Sequence, residues 1–263
     1  MTEKIPRIIN YVWVGGKPKP PLVLKCLASW AKQCPDYRIV EWNESNFPID
    51  SFPLAKSALT RGNYALASDV IRNYALVKNG GFYLDTDMEL IKPLDSLLTY
   101  DAALCYESDH WLNSAFLAGI PNHPIYRVAL ARLQAVDKIG FNTNALTVHA
   151  FSAIMRLRYG VKPDGKDIVV DNIRLLPQEY FYPLDYMTGE LNTTLNTIGI
   201  HHYLGSWHNA RQKNGYTFAR TFRLRVTKNF FGLFEKSVAD HYYHVLKKEL
   251  EPLITGEKHG KRK

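Results

Sequence analysis

At 263 residues, 46% hydrophobic and 22% charged, the chain holds enough apolar material for a full core and too much for a disordered segment. Its formal net charge of +8 lies wholly in the tail: residues 211 to 263 carry 13 Lys and Arg against 5 Asp and Glu, and the body before them balances at 20 of each. The three cysteines lack CxxC or zinc-ribbon spacing, and no window reaches the roughly 20 apolar residues of a spanning helix, which argues against a disulfide framework, a zinc module and a membrane span.

Residues 5 to 14, "IPRIINYVWV", are β-branched and aromatic and predict a first strand ending at Gly15-Gly16. Pro21 opens a helix whose face Val23, Leu27, Trp30 and Cys34 follows helical spacing, and "YRIVEW" at 37 to 42 reads as a second strand. Residues 43 to 53 read as loop. A second helix fits "YALASDVIRNYALVKN", with Leu66, Val70, Tyr74 and Val77 on one side and Gly80-Gly81 as its stop. "FYLD" is then a third strand, and this alternation predicts a parallel α/β sheet with ligands beyond its carboxyl ends. "DAALCYE" and "NSAFLAG" predict two further strands, 124 to 136 and 144 to 158 predict helices, and "IGIHHYLGSWH" at 198 to 208 predicts a last strand running into a loop.

The third strand ends in Asp85-Thr86-Asp87. In an extended segment side chains at i and i+2 share a side, so the two carboxylates converge, and their repulsion is relieved by a cation or a proton. An EF-hand fails because the twelfth position is Ser96 instead of Glu. A glycosidase acid and base pair normally sits on two separate elements, and a solvated strand end is the commonest meaning of an arbitrary DxD.

The surrounding blocks change that balance. "IPRIINYVWVGGKPKP", "CLASWAKQCPDYRIVEWNE", "YALASDVIRNYALVKNGGFYLDTDMELIKPLDSLL" and "HHYLGSWH" together resemble the bacterial DXD-containing proteins of glycosyltransferase family 32, relatives of yeast mannosyltransferases and, more distantly, of clostridial toxin glucosyltransferases. The likeness is dense over about the first 100 residues and returns in one late block. It implies a GT-A fold, α/β with a central mixed sheet flanked by helices, a nucleotide-sugar donor, a divalent Mn2+ or Mg2+ ion, and transfer with retention of configuration.

On that resemblance Val12 and Trp13 look like the donor-base contact, although a strand tryptophan by itself reads as core. Asp69 and Arg72 match an SDxxR element that touches the donor sugar and phosphates; alone, an i, i+3 pair would be a surface ion pair. Tyr83 resembles a hydroxyl near the diphosphate, Asp85 the ribose and metal contact, Asp87 the direct metal ligand, and Asn113 a polar neighbour of the sugar. His202 matches the late ligand that completes the metal shell, with His201 expected to point the other way; a zinc site of His201, His202 and His208 is the rival. Ser206 and Trp207 resemble residues that close over the donor. Where many relatives carry His, this chain has Asn10, to which no role is assigned.

The implied reaction moves a sugar from a nucleoside diphosphate, UDP in the first instance, to a saccharide or lipid-linked oligosaccharide acceptor in surface polysaccharide synthesis. The alternatives are a nucleotide-sugar hydrolase and a non-catalytic peripheral membrane protein that keeps the fold. Residues 1–210 are expected to form the transferase domain and 211–263 a basic, aromatic-rich extension that contacts anionic membrane; nothing in the body reads as a nucleic-acid module. The start lacks a secretory pattern, so the expected location is the cytoplasm, against the inner face of the cell membrane.

Overall fold

Strand β1 (Ile8–Val12) pairs in parallel with β2 (Arg38–Trp42) on one side and β3 (Gly81–Leu84) on the other, and helix α1 (Pro21–Gln33) makes the first crossover. The structure is a computed structural model that describes residues 2–136, 143–185, 188–204 and 228–256, the side chains of 143–146 and 228–233 excepted. Pro21 opens α1, where its missing N–H costs nothing, and Val23, Cys26 and Trp30 form the buried face. The stretch expected to be loop is in part helical: after a 3-10 turn at Ile49–Ser51 comes α2 (Pro53–Thr60), with Leu54, Ala55 and Ala58 buried.

Helix α3 (Tyr64–Asn79) has the predicted bounds. The Asn63 side chain accepts from the Leu66 N–H at its start, and Gly80, with φ 62°, ends it. Gly81 must stay glycine: its φ is 87°, and a Cβ there would lie 2.5 Å from the Ile8 carbonyl oxygen, closing the gap through which β3 reaches β1. Asn10 is buried, donates to the Gly80 and Phe82 carbonyls at 3.0 Å each, and accepts from Trp42 Nε1 at 3.0 Å. Every polar atom of its amide has a partner in neighbouring chain, which makes it a cross-tie between the parallel strands.

Strand β4 (Met88–Leu90) then leaves the main sheet, and the hairpin of β5 (Ala102–Ser108) and β6 (Trp111–Gly119) returns to it. Helices α4 (Pro124–Gln134) and α5 (Thr143–Tyr159) follow the predicted positions. Strands β7 (Ile168–Val170) and β8 (Ile173–Leu176) form a hairpin that sequence reasoning missed. Its two-residue turn is Asp171 and Asn172, at φ 47° and 60°, as a primed turn requires. Strand β9 (Gly199–His201) pairs antiparallel with β4, in a second, small sheet.

The main sheet has seven strands in the order β2-β1-β3-β6-β5-β8-β7. It is mixed: β1, β2 and β3 run in parallel, β6 is antiparallel to both neighbours, and β5 and β8 are again parallel. The wholly parallel sheet suggested by the early strand and helix alternation therefore extends over three strands only. An apolar core lies on each face, one under α3, α4 and α5, the other around Trp30, Phe82, Phe116 and Phe181.

The last helix, α6 (Lys228–Thr255), belongs to the basic extension and lies on α5 and α4. Leu246 and Leu250 are fully buried in the first core, and ion pairs Arg132–Glu249 at 2.8 Å and Arg156–Asp240 at 3.0 Å fix the helix. No helix among the described residues is long and apolar enough to cross a membrane.

Candidate active site

The carboxyl end of β3 delivers the acidic pair, in a turn instead of the extended segment expected. The Asp85 N–H is held by the Ala115 carbonyl of β6 at 2.9 Å, and the Met88 N–H closes back on the Asp85 carbonyl at 2.9 Å. That turn brings both carboxylates to one side while Thr86 is buried.

Behind Asp85 stands Arg72, only 5% exposed. Its guanidinium lies 3.1 Å from Asp69 and 3.4 Å from Asp85, and donates to the Ser114 carbonyl at 2.7 Å and Ser114 Oγ at 2.8 Å. It also sits 4.7 Å from the centre of the Tyr83 ring. A buried cation of this kind persists only when paired and hydrogen-bonded, and here it is both. The Asp69–Arg72 pair is thus buried, not the surface ion pair that i, i+3 spacing alone would suggest. Burial pushes the Asp69 carboxyl up to about 6, against the pull of Arg72. The Tyr83 hydroxyl donates to Asp85 at 2.7 Å and lies 3.1 Å from Ser68 Oγ, which fixes the Asp85 carboxylate from the protein side.

Asp87 is held from the late block. Its carboxylate accepts from the Leu204 N–H at 2.8 Å and lies 3.2 Å from His201 Nε2. Burial opposes its ionisation, yet the His201 charge and that N–H prevail and pull it down to about 2. Reciprocally His201 is raised, because Asp87 outweighs the burial that disfavours the imidazolium.

This geometry reverses the expectation for the two histidines. His201 joins the aspartates, whereas His202 turns to Glu89 at 2.8 Å, a carboxylate that also takes Lys25 at 2.8 Å. Alternation did separate the neighbours, but pairing of β9 with β4 sets which one faces the acids, with His201 opposite Met88 and the His202 N–H on the Asp87 carbonyl.

One oxygen from each of Asp85 and Asp87 and one His201 nitrogen lie within 4.8 Å of one another. Two hard carboxylate oxygens and an imidazole suit Mn2+ or Mg2+, with phosphate and water completing the shell. His201 Nδ1 is buried with no hydrogen-bond partner among the described residues, an orphan consistent with a site built to receive something more. The residues therefore fit the ion.

The other expected donor contacts are spread around this centre. Trp13 lies just past the carboxyl end of β1, partly exposed, with its Nε1 on the Lys17 carbonyl at 2.7 Å and the Lys19 ammonium 5.6 Å from its ring; Val12 beside it is buried in the core. The Asn113 side chain caps the Ala115 N–H at 2.8 Å, and its neighbour Ser114 is the residue that reaches Arg72. Ser206, Trp207 and His208 lie outside the described residues. Ser68 and Ser114 are the neighbours of Arg72 that the sequence reading did not name, and His201 is one that it named but turned away from the acids; Ser68 stands within the SDxxR block.

Residues 20–104 match the family described as glycosyltransferase sugar-binding region containing DXD motif. Among curated proteins, mannosyl phosphorylinositol ceramide synthase SUR1 of Saccharomyces cerevisiae is 29% identical over 41% of this chain and 29% of its own length. Inositol phosphoceramide mannosyltransferase 3 of Schizosaccharomyces pombe is 25% identical over 78% of this chain and 56% of its own. The chain thus covers under two thirds of the length of either relative. Among solved structures, PaToxG glycosyltransferase shares the fold with a TM-score of 0.52 and 19% identity, over 59% of this chain and 69% of that one. The chain thus has the fold of a solved glycosyltransferase, and the stretch that carries the aspartate pair is similar to the DXD-containing sugar-binding region of glycosyltransferases.

Proposed function

We propose that the protein is a metal-dependent, retaining glycosyltransferase that moves a sugar from a nucleoside diphosphate, UDP in the first instance, to a saccharide or lipid-linked oligosaccharide in surface polysaccharide synthesis. The observation that carries this reading is the convergence of Asp85, Asp87 and His201 within 4.8 Å, beside the buried Arg72. A divalent ion held by those three residues would supply charge neutralisation for the departing diphosphate. The chain's own groups do the rest. Tyr83 and Arg72 hold Asp85 in one orientation, so the carboxylate does not have to reorganise when the donor arrives. Arg72 keeps a fixed positive charge at the strand ends, where the leaving group gathers negative charge. The Trp13 ring offers a face for the nucleotide base. The names of the curated relatives, which specify mannose transfer to inositol phosphoceramide, make a mannose donor the next to try after UDP-glucose and UDP-galactose.

The test is a nucleotide-sugar panel with and without Mn2+, read by calorimetry and by donor turnover with and without oligosaccharide acceptor. We expect donor binding that chelator abolishes and that Asp87→Ala removes. Metal-independent turnover, or an Asp87→Ala protein of normal activity, would overturn the assignment. Turnover to free sugar unaffected by any acceptor would favour the hydrolase instead.

The same reading sets the protein against the inner face of the cell membrane through the basic extension. His241, His244, Lys247 and Lys248 are exposed on the outer side of α6, with Val245 among them. Such a face suits anionic headgroups, at about 1 kcal/mol per Lys near the surface. Lys247→Glu with Lys248→Glu should weaken sedimentation with phosphatidylserine vesicles; unchanged sedimentation would remove the membrane from the proposal.

A further inference from the structure

A cavity of about 470 Å3 opens between α5, α6, the tip of the β5–β6 hairpin and the loop at 162–164. That is within the size range of small-molecule sites. It lies apart from the aspartate pair but on the same edge of the sheet. Ser152, in its wall, accepts from the Leu112 N–H at 2.8 Å, and two residues further along β6 Ser114 holds Arg72. Two strand residues span about 7 Å.

The lining is chemically specific. Arg156 is committed, paired with Asp240 at 3.0 Å and lying 3.6 Å from the centre of the Tyr243 ring. Lys162 and Lys236 both bear electrostatically on that same Asp240, and neither has an ion pair among the described residues. Asp164, the nearby acid on the loop, is neutralised by Lys166 at 2.8 Å. Three cations therefore face Asp109 and Asp240, an excess of positive charge with acceptor and hydroxyl groups beside it. His149 sits in the wall at 8% exposure, its ring stacked on Tyr242 at 4.6 Å and edge-on to Trp111 at 5.4 Å, with no hydrogen bond to either nitrogen among the described residues.

We propose that this cavity binds an anionic saccharide, a sugar bearing a phosphate or a carboxylate, its anion on Lys162 and Lys236 and its hydroxyls on Asp109, Ser152 and His149. On the transferase reading, on which this clause alone rests, the occupant is the acceptor, seated one short stretch of β6 from Arg72.

The test is calorimetry on the full chain with UDP and Mn2+ present, titrating glucose 6-phosphate, glucuronate, glucose and inorganic phosphate. We expect glucose 6-phosphate or glucuronate to bind more tightly than glucose and than phosphate, the preferred one of the two showing which anion the site takes. Lys236→Glu and Lys162→Glu, both at exposed positions, should each weaken that binding about tenfold or more, as loss of a charge-assisted hydrogen bond does, while leaving UDP binding unchanged. The proposal is overturned if neither anionic sugar binds, if both variants bind as the parent does, if phosphate binds as tightly as the sugars, or if UDP displaces them competitively. Failure of UDP to bind, with anionic sugar still held, would instead sink the transferase reading and leave the cavity assigned.

Discussion

Arg72 shows how much one residue organises: a single guanidinium, stacked on Tyr83, ties α3, the β3 turn and β6 together through Asp69, Asp85 and Ser114. A planar fork with five donors can do this, and an ammonium cannot. Of this cradle the residues by themselves showed only that paired acids ask for a cation; the link from the SDxxR block to a donor's phosphates is what the family resemblance implies. The partners of these residues were not legible. Asn113 and Ser114 are adjacent, and only the register of β6 against β3 decides which meets Arg72. The histidines pose the same problem and give a sharp test. If His201 is the ligand, His201→Ala should cost far more Mn2+ affinity than His202→Ala, whose side chain pairs with Glu89 outside the three-residue cluster. A loss of about 10-fold to 100-fold is the scale of such outer contacts, so His201→Ala should exceed it. Calorimetric Mn2+ titration of the two variants reads the difference, and a larger loss in His202→Ala would restore the earlier assignment.

Among the elements, those whose pattern is long or sharply punctuated could be read directly, as α3 was between Asn63 and Gly80. Short elements escaped. Helix α2 has eight residues, too few for periodicity to stand out, and β7 and β8 have three and four, although the Asp171-Asn172 turn between them was a usable signal. Helix α6 carries a different lesson. Basic charge interleaved with aromatics suggested a surface segment, but Leu246 and Leu250, four residues apart, give the helix an inward stripe that the core receives. Leu250→Ala should therefore destabilise the whole protein by about 2–5 kcal/mol, the usual cost of a buried leucine truncation. Urea unfolding would show it as a lower midpoint at unchanged slope. A separate early transition of α6 alone would mean that the helix does not share the core's cooperativity.

For the molecule as a whole, fold class was legible from the strand and helix rhythm of the first 100 residues, while the mixed sheet was implied by the family resemblance alone, since strand direction beyond β3 depends on pairings remote in sequence. One global property follows from burial alone. His123 lies under α4 at 4% exposure, its ring nitrogen accepting from the Ile125 N–H, and burial pulls it down to about 4, with Asp101 opposing and Arg158 assisting. His149 is pulled down to about 4 by burial as well. Both stay neutral in the native state while the unfolded chain takes up protons near 6.5, so the unfolded state binds more protons below that pH. Their stabilisation is complete above pH 6.5 and is lost as pH falls toward 4. Asp69, raised to about 6 from 3.8, acts in the opposite sense over part of that window, and two histidines against one carboxyl leave a net loss in acid. His123→Asn keeps a side chain able to cap α4 but cannot titrate. Its stability should therefore fall less steeply from pH 6.5 to 4, by about 2–4 kcal/mol over the interval, the worth of a shift of two to three pH units. Urea midpoints measured at half-unit pH steps compare the two proteins, and parallel curves would show that His123 is charged in the native state after all.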